Sequence, residues 1–147
     1  MKKMNKKGFT IVELVIVIAV IAILSAVLIP TFSGVVADAN KTAVVADAKA
    51  KYQEYMTANI TNYEKDVVYV DADKKMVVII KDSQIVEVTV EDKKTSAVEI
   101  ASATVAEYEK AAKLAYATDW TVDVAENPLT GFTNLYAITA TAPAAAG

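Results

Sequence analysis

Residues 9–29 read FTIVELVIVIAVIAILSAVLI, and the nature of this one stretch decides the architecture of the chain. Every residue in it except Thr10, Glu13 and Ser25 is apolar, and no charge occurs from Leu14 to Ala37. At about 1.5 Å per helical residue, some twenty such residues span the roughly 30 Å hydrocarbon core of a bilayer. The stretch is therefore expected to cross a membrane as a helix. Lys2, Lys3, Lys6 and Lys7 precede it, and the mixed charges Asp38, Lys41, Asp47 and Lys49 follow it. That asymmetry predicts a single-pass cytoplasmic membrane protein, with its N-terminus in the cytoplasm and its body outside.

Three fates compete for such a segment. A cleaved secretory signal is suggested by the small-x-small run Ala37-Asp38-Ala39, but its apolar core would exceed the usual ~7 to 15 residues and would carry Glu13 at its entrance. A permanent anchor explains the length but not the acid, because a carboxylate in the middle of a spanning helix costs roughly 2.5 to 3.5 kcal/mol. An acid at such a position is a functional candidate in need of a partner. Thr10-Ile11-Val12-Glu13 also has the T-x-x-E form of a capping box, with Phe9 and Leu14 placed as a hydrophobic staple, so local capping is a second explanation for Glu13.

The third fate follows from Lys7-Gly8-Phe9-Thr10-Ile11-Val12-Glu13-Leu14 and the aliphatic run behind it. This sequence resembles the processing site of type IV prepilins and pseudopilins: a short basic leader ending in Gly, an aromatic first mature residue, and Glu as the fifth. The resemblance covers Lys6 to Phe32, with Pro30 where many members have a proline. It implies cleavage after Gly8 by a prepilin peptidase, methylation of the amine of Phe9, and a charge pair between Glu13 and the Phe9 amine of a neighbouring subunit. Gly8 lacks a side chain, so a protease at the membrane face can approach its backbone closely. Pro30 and Gly34 one turn later are expected to bend or loosen the helix.

Composition narrows the chemistry. The 147 residues contain no Cys, no His and no Arg, which removes disulfides, His/Cys metal sites, a Ser-His-Asp triad and Arg phosphate clamps. An enzyme is the less expected reading, with no cofactor and no metal. Asp71, Asp73 and Asp82 stand at polar turns but lack the spacing of a calcium loop. Outside residues 1–8 the chain has 11 Lys against 18 acids, a net charge of −7, so nucleic acid is not indicated as a partner.

Beyond the apolar stretch a helical pattern continues to about Ala58, with Asp47 and Lys51 in the favourable i, i+4 order. It carries two stripes: Val35, Ala39, Ala43, Ala46 and Ala50 on one side, and Val44, Val45, Ala48, Tyr52, Tyr55 and Met56 nearly opposite. The bulky stripe is expected to dock on the chain's own domain and the alanine stripe to meet other helices. Strands are expected at Val67–Val70, Met76–Ile80, Ile85–Val90, Trp120–Val124 and Phe132–Thr139, separated by Asp, Lys, Pro and Gly turns. A second helix is expected over Val105–Ala117, opened by a capping box of Thr104 and Glu107. Asn59-Ile60-Thr61 matches a glycosylation sequon.

The expected organisation is a basic leader (1–8), a membrane or filament-core helix (9–32), the outer half of that helix (33–60), a β-rich head (61–141) and a loose tail (142–147). The fold class is α+β, a long N-terminal helix against a small antiparallel sheet with one further helix. The resemblance implies a structural subunit of a type IV pilus-like filament at the cell surface. Its partners would be further copies or other pilins, the peptidase/methyltransferase, the membrane and the pilus assembly platform. Alternatives are a minor pilin or pseudopilin of a secretion or DNA-uptake machine, a monomeric surface-anchored binding domain, and a tethered hydrolase with paired carboxylates.

Overall fold

A computed structural model describes residues 8–145; the leader lysines fall outside the described residues, as do the last two positions. The chain divides into one unit ending at Asp38 and another beginning at Ala39. Helix α1 spans Ile11–Ala58.

In the first unit, α1 presents apolar side chains on all sides. Ile11, Leu14, Ile18, Ile21, Leu24, Leu28 and Phe32 are all exposed. An apolar surface all round a helix has no place in water and belongs in lipid or among other helices. Its few hydroxyls are satisfied within the helix: Ser25, Thr31 and Ser33 donate to the carbonyls of Ile21, Val27 and Ile29 at 2.7, 3.0 and 3.1 Å. Such back-bonding removes the cost of leaving a hydroxyl unpaired in hydrocarbon. Pro30 withholds the amide that the Ala26 carbonyl would take, yet the helix is unbroken through Pro30 and Gly34.

The second unit is a sheet with a helix on each face. Strand β1 (Val67–Asp71) pairs antiparallel with β2 (Met76–Lys81). The edge of β2 away from β1 is shared by β3 (Gln84–Ile85) at one end and β6 (Val98–Glu99) at the other. A separate hairpin joins β4 (Val88–Val90) to β5 (Lys93–Thr95). Helix α2 (Val105–Ala112) and a 3-10 turn (Lys113–Ala115) lead to β7 (Thr121–Val124), and β8 (Leu135–Thr141) closes the sheet between β1 and β7. The sheet order is β3-β2-β1-β8-β7, with β6 also on β2.

The α+β class expected from the sequence is the one observed. Strand periodicity sorts the core into two layers. Val67, Tyr69, Met76, Val78 and Ile80 face α1, where Val44, Ala48, Tyr52 and Tyr55 are buried with Leu135 and Ala97. Val68, Val70, Val77 and Ile79 face α2, packing with Tyr108, Ala111, Ala112 and Tyr116. Because both faces are covered, VVYV and MVVII read as continuous apolar runs without alternation.

Several boundaries differ from expectation. The single strand Ile85–Val90 is two strands, because β6 occupies the remaining edge of β2 and the chain must leave that edge after the Val86 amide bonds the Ile79 carbonyl. Strands β5 and β6 were not anticipated, since Lys93-Lys94-Thr95 carries no apolar alternation and Val98-Glu99 is too short to signal. The second helix is α-helical only to Ala112, and Thr104 makes no side-chain cap bond; its hydroxyl lies 3.4 Å from that of Ser102 instead. The last strand starts three residues late, because Leu129 to Leu135 folds into consecutive turns with Gly131 at φ +82°. Lys51 bonds Glu54 at 2.9 Å rather than forming the expected pair with Asp47.

Candidate functional site

The segment that carries the chemistry begins at Gly8. Residues 8–10 precede the helix without regular structure and are exposed, Phe9 by 91%. Among the described residues, a Cβ at Gly8 would meet nothing within 4 Å.

The start of α1 forms the reciprocal capping box that T-x-x-E spacing predicts. The Thr10 amide donates to Glu13 Oε2 at 2.9 Å, and the Glu13 amide donates to Thr10 Oγ1 at 3.2 Å. Two of the amides that a helix leaves without partners at its start are thereby satisfied. Glu13 also lies in the first turn, where the helix dipole favours an anion. Thr10 and Glu13 are thus brought together, whereas Pro30 and Gly34 lie several turns further along α1.

Further along α1, the stripes separate as expected. Val44 and Ala48 are fully buried and Tyr52 and Tyr55 nearly so, whereas Val35, Ala39, Ala43, Ala46 and Ala50 are exposed. The tyrosine hydroxyls pin the chain that leaves α1. Tyr52 donates to the Glu64 carbonyl at 3.0 Å and lies 3.1 Å from the Ser83 hydroxyl, and Tyr55 accepts from the Glu64 amide at 2.9 Å. Tyr55 also meets Phe132 edge-on at 5.4 Å. Asn59 of the sequon uses its side-chain amide to bond the Tyr55 carbonyl at 3.0 Å, ending the helix.

Several ionisable groups of the head take part in its packing. Desolvation pushes the Asp71 carboxyl up, but hydrogen bonds from the Lys74 ammonium (2.8 Å) and amide (2.9 Å) together outweigh it and hold the group below the usual range. Burial, followed by the bond to Asp66 at 2.9 Å, pushes the Tyr116 phenol well above its ordinary value. The Lys81 ammonium stands 4.6 Å from the centre of the Tyr116 ring and 3.4 Å from the Ala115 carbonyl. Sequence reading missed this cluster, whose members come from β2, the loop before β1 and the end of the 3-10 turn; no linear signal joins them. It also missed the pair between Lys41 of α1 and Glu99 of β6 at 3.5 Å.

Comparison with known proteins gives a family motif and a partial relative. Residues 3–29 match the family model described as the prokaryotic N-terminal methylation motif. The chain is 48% identical over 61 residues to the type IV wide pilus major component PilA4 of Thermus thermophilus. That alignment covers 40% of this chain and 47% of the relative, so the chain spans about half the length of the curated relative it matches. No solved structure gives a significant match. Within the second unit α1 docks on a small antiparallel sheet, and in the first it is long and apolar enough to cross a membrane. Residues 3–29 thus carry a prokaryotic N-terminal methylation motif, in a chain that is similar over part of its length to a type IV pilus component.

Proposed function

We propose that the chain is a prepilin, cleaved between Gly8 and Phe9, N-methylated at Phe9 and polymerised through α1 into a type IV pilus-like filament. The observation that carries this reading is the uncovered apolar helix behind the junction, exposed from Phe9 through Val36. Such a surface needs lipid before assembly and other helices after it, and a subunit that moves from membrane to fibre has both in turn. The relative's description as a major pilus component favours a principal subunit over a minor one. Before assembly the chain would sit in the cytoplasmic membrane with its leader inside.

In this reading Glu13 pairs with the freed amine of Phe9 on a neighbouring subunit, each charge compensating the other where either alone would be costly. The exposed alanines Ala39, Ala43, Ala46 and Ala50 let neighbouring helices approach closely, and Pro30 with Gly34 marks where α1 yields as subunits pack. The partners are then further copies or other pilins, the peptidase/methyltransferase and the assembly platform.

The N-terminal residue of the mature protein, read by mass spectrometry from sheared surface material, tests the proposal. A methylated Phe9 start in a sedimenting filament fraction is expected. A Met1 start means a permanent anchor and an Asn40 start a secretory signal, and either refutes it. Methylated Phe9 in a low-abundance, non-sedimenting chain assigns it to a pseudopilin.

A further inference from the structure

We infer that the β4–β5 hairpin is a contact surface between copies of this chain, the β4 edge of one head pairing with the β5 edge of the next. The hairpin is a two-stranded sheet of its own, with Val88 and Val90 packed into the core layer on the α2 side. Its strands register Val88 with Thr95, Thr89 with Lys94 and Val90 with Lys93 around the two-residue turn Glu91-Asp92. A turn of that length closes on a hydrogen-bonded pair, so Val90 bonds Lys93 and Val88 bonds Thr95 across the hairpin. The N–H and C=O groups of Thr89 and Lys94 therefore point outward, one set from each edge. Both residues are exposed.

An open edge is a template for a further strand, and the charges along it decide which strand it accepts. On β4, Thr89 lies between Glu87 and Glu91 on the outer face, whereas β5 offers Lys93 and Lys94. Among the described residues none of these four charged groups makes an ion pair. Pairing β4 with β4 of another copy would set Glu87 against Glu91, and pairing β5 with β5 would set Lys94 against Lys94; like charges directly opposite repel. Antiparallel pairing of β4 with β5 of another copy instead places Thr89 opposite Lys94, whose ammonium then reaches Glu87 and Glu91 on the diagonals. This contact joins unlike surfaces, leaves an edge free at each end, and so propagates from copy to copy.

Two main-chain hydrogen bonds and a few surface ion pairs make a weak contact by themselves. Copies held side by side through α1 meet at high effective concentration, which offsets that weakness. The contact needs only this tethering, in a membrane or in a fibre, and does not depend on cleavage at Gly8.

The chain contains no Cys, so single introduced cysteines report the contact without background. Full-length Thr89→Cys and Lys94→Cys chains are co-expressed and oxidised mildly in membranes and in sheared surface material, and the dimers are identified by mass spectrometry. A hydrogen-bonded antiparallel pair sets its Cα atoms about 5.5 Å apart, within reach of a disulfide. The mixed dimer is expected to exceed either homodimer by about 10-fold, the preference that two net main-chain hydrogen bonds give. A second pair, Glu87→Cys with Ser96→Cys, continues the same register and keeps Thr89 and Lys94 in place. Adding Thr89→Pro to its first member removes the outward amide without touching the β4–β5 ladder, and should cut the mixed dimer to the homodimer level. Homodimers equal to the mixed product, no dimer from either pair, or a mixed yield that survives Thr89→Pro overturns the inference. Cross-linking is read on the full chain whatever its N-terminus, so a Met1 start would refute the prepilin reading and leave this contact standing.

Discussion

Ala46 and Ala48 are two residues apart on α1 and answer different forces, so enlarging each to Leu separates folding from assembly. Ala48 is 0% exposed, enclosed in the cluster of Val44, Tyr52, Tyr55, Val67, Tyr69, Met76, Val78, Ile80 and Leu135. Leu adds three carbons to a site with no room, and overpacking of this kind costs about 1 to 3 kcal/mol. The unit from Ala39 to Gly147 holds 109 residues, for which a total stability of roughly 5 to 15 kcal/mol is typical. At about 4 to 8 °C per kcal/mol for a domain near this size, Ala48→Leu should lower Tm by about 4 to 24 °C. Ala46 is exposed and Leu is a good helix former, so Ala46→Leu should change stability by less than about 0.5 kcal/mol. Thermal unfolding of the full chain in detergent micelles, followed by the fluorescence of the single Trp, reads the head directly, since Trp120 packs beside Tyr116 at 5.8 Å. Filament yield then asks the second question, and Ala46→Leu should reduce it despite a parental Tm. If Ala46→Leu lowers Tm as much as Ala48→Leu does, the assignment of the two stripes is wrong.

Other expectations follow from the head. The lowered Asp71 carboxyl contributes stability that is present above the unfolded-state value of about 3.9 and is lost as pH falls through the folded-state value. Asp71→Asn should therefore flatten the acid limb of stability, as read from urea midpoints between about pH 2 and 6. Tyr116→Phe removes a donor to Asp66 and should cost about 1 to 2 kcal/mol near neutral pH. Because burial raises the Tyr116 phenol, its contribution is present below about pH 10 and lost above, so the same variant should be less sensitive to alkali than the parent. In the two-residue turn between β4 and β5, Glu91 and Asp92 both have positive φ, at 49° and 64°. Asp92→Gly should change stability by less than about 1 kcal/mol in urea unfolding, because relief of the left-handed backbone is opposed by the freedom that glycine adds to the unfolded chain.

How far the fold could be read in advance depended on where each element finds its partners. The bulky stripe of α1 was legible because a helix fixes the angular spacing of Val44, Ala48, Tyr52 and Tyr55 before anything docks on them. The runs VVYV and MVVII announced strands, and their lack of alternation was the available sign that helices cover both faces. Glu107 follows Thr104 at the spacing of a capping box, as Glu13 follows Thr10, yet only the first-helix box forms. At Thr104 the hydroxyl has Ser102 as an alternative neighbour, which spacing does not reveal.

The sequence by itself determined three N-terminal features: the methylation motif over residues 3–29, the capping box of Thr10 and Glu13, and an apolar helix long enough to span a membrane. All of these are local, set by adjacent residues or by one turn of helix. Only the tertiary structure decided that β2 divides its outer edge between β3 and β6, splitting the expected strand at residues 85–90. The same holds for Lys81, Tyr116 and Asp66, which meet across 50 residues of chain. Pairing between distant segments depends on which edges and faces remain uncovered once the rest has folded, and that competition has no signature in a linear pattern.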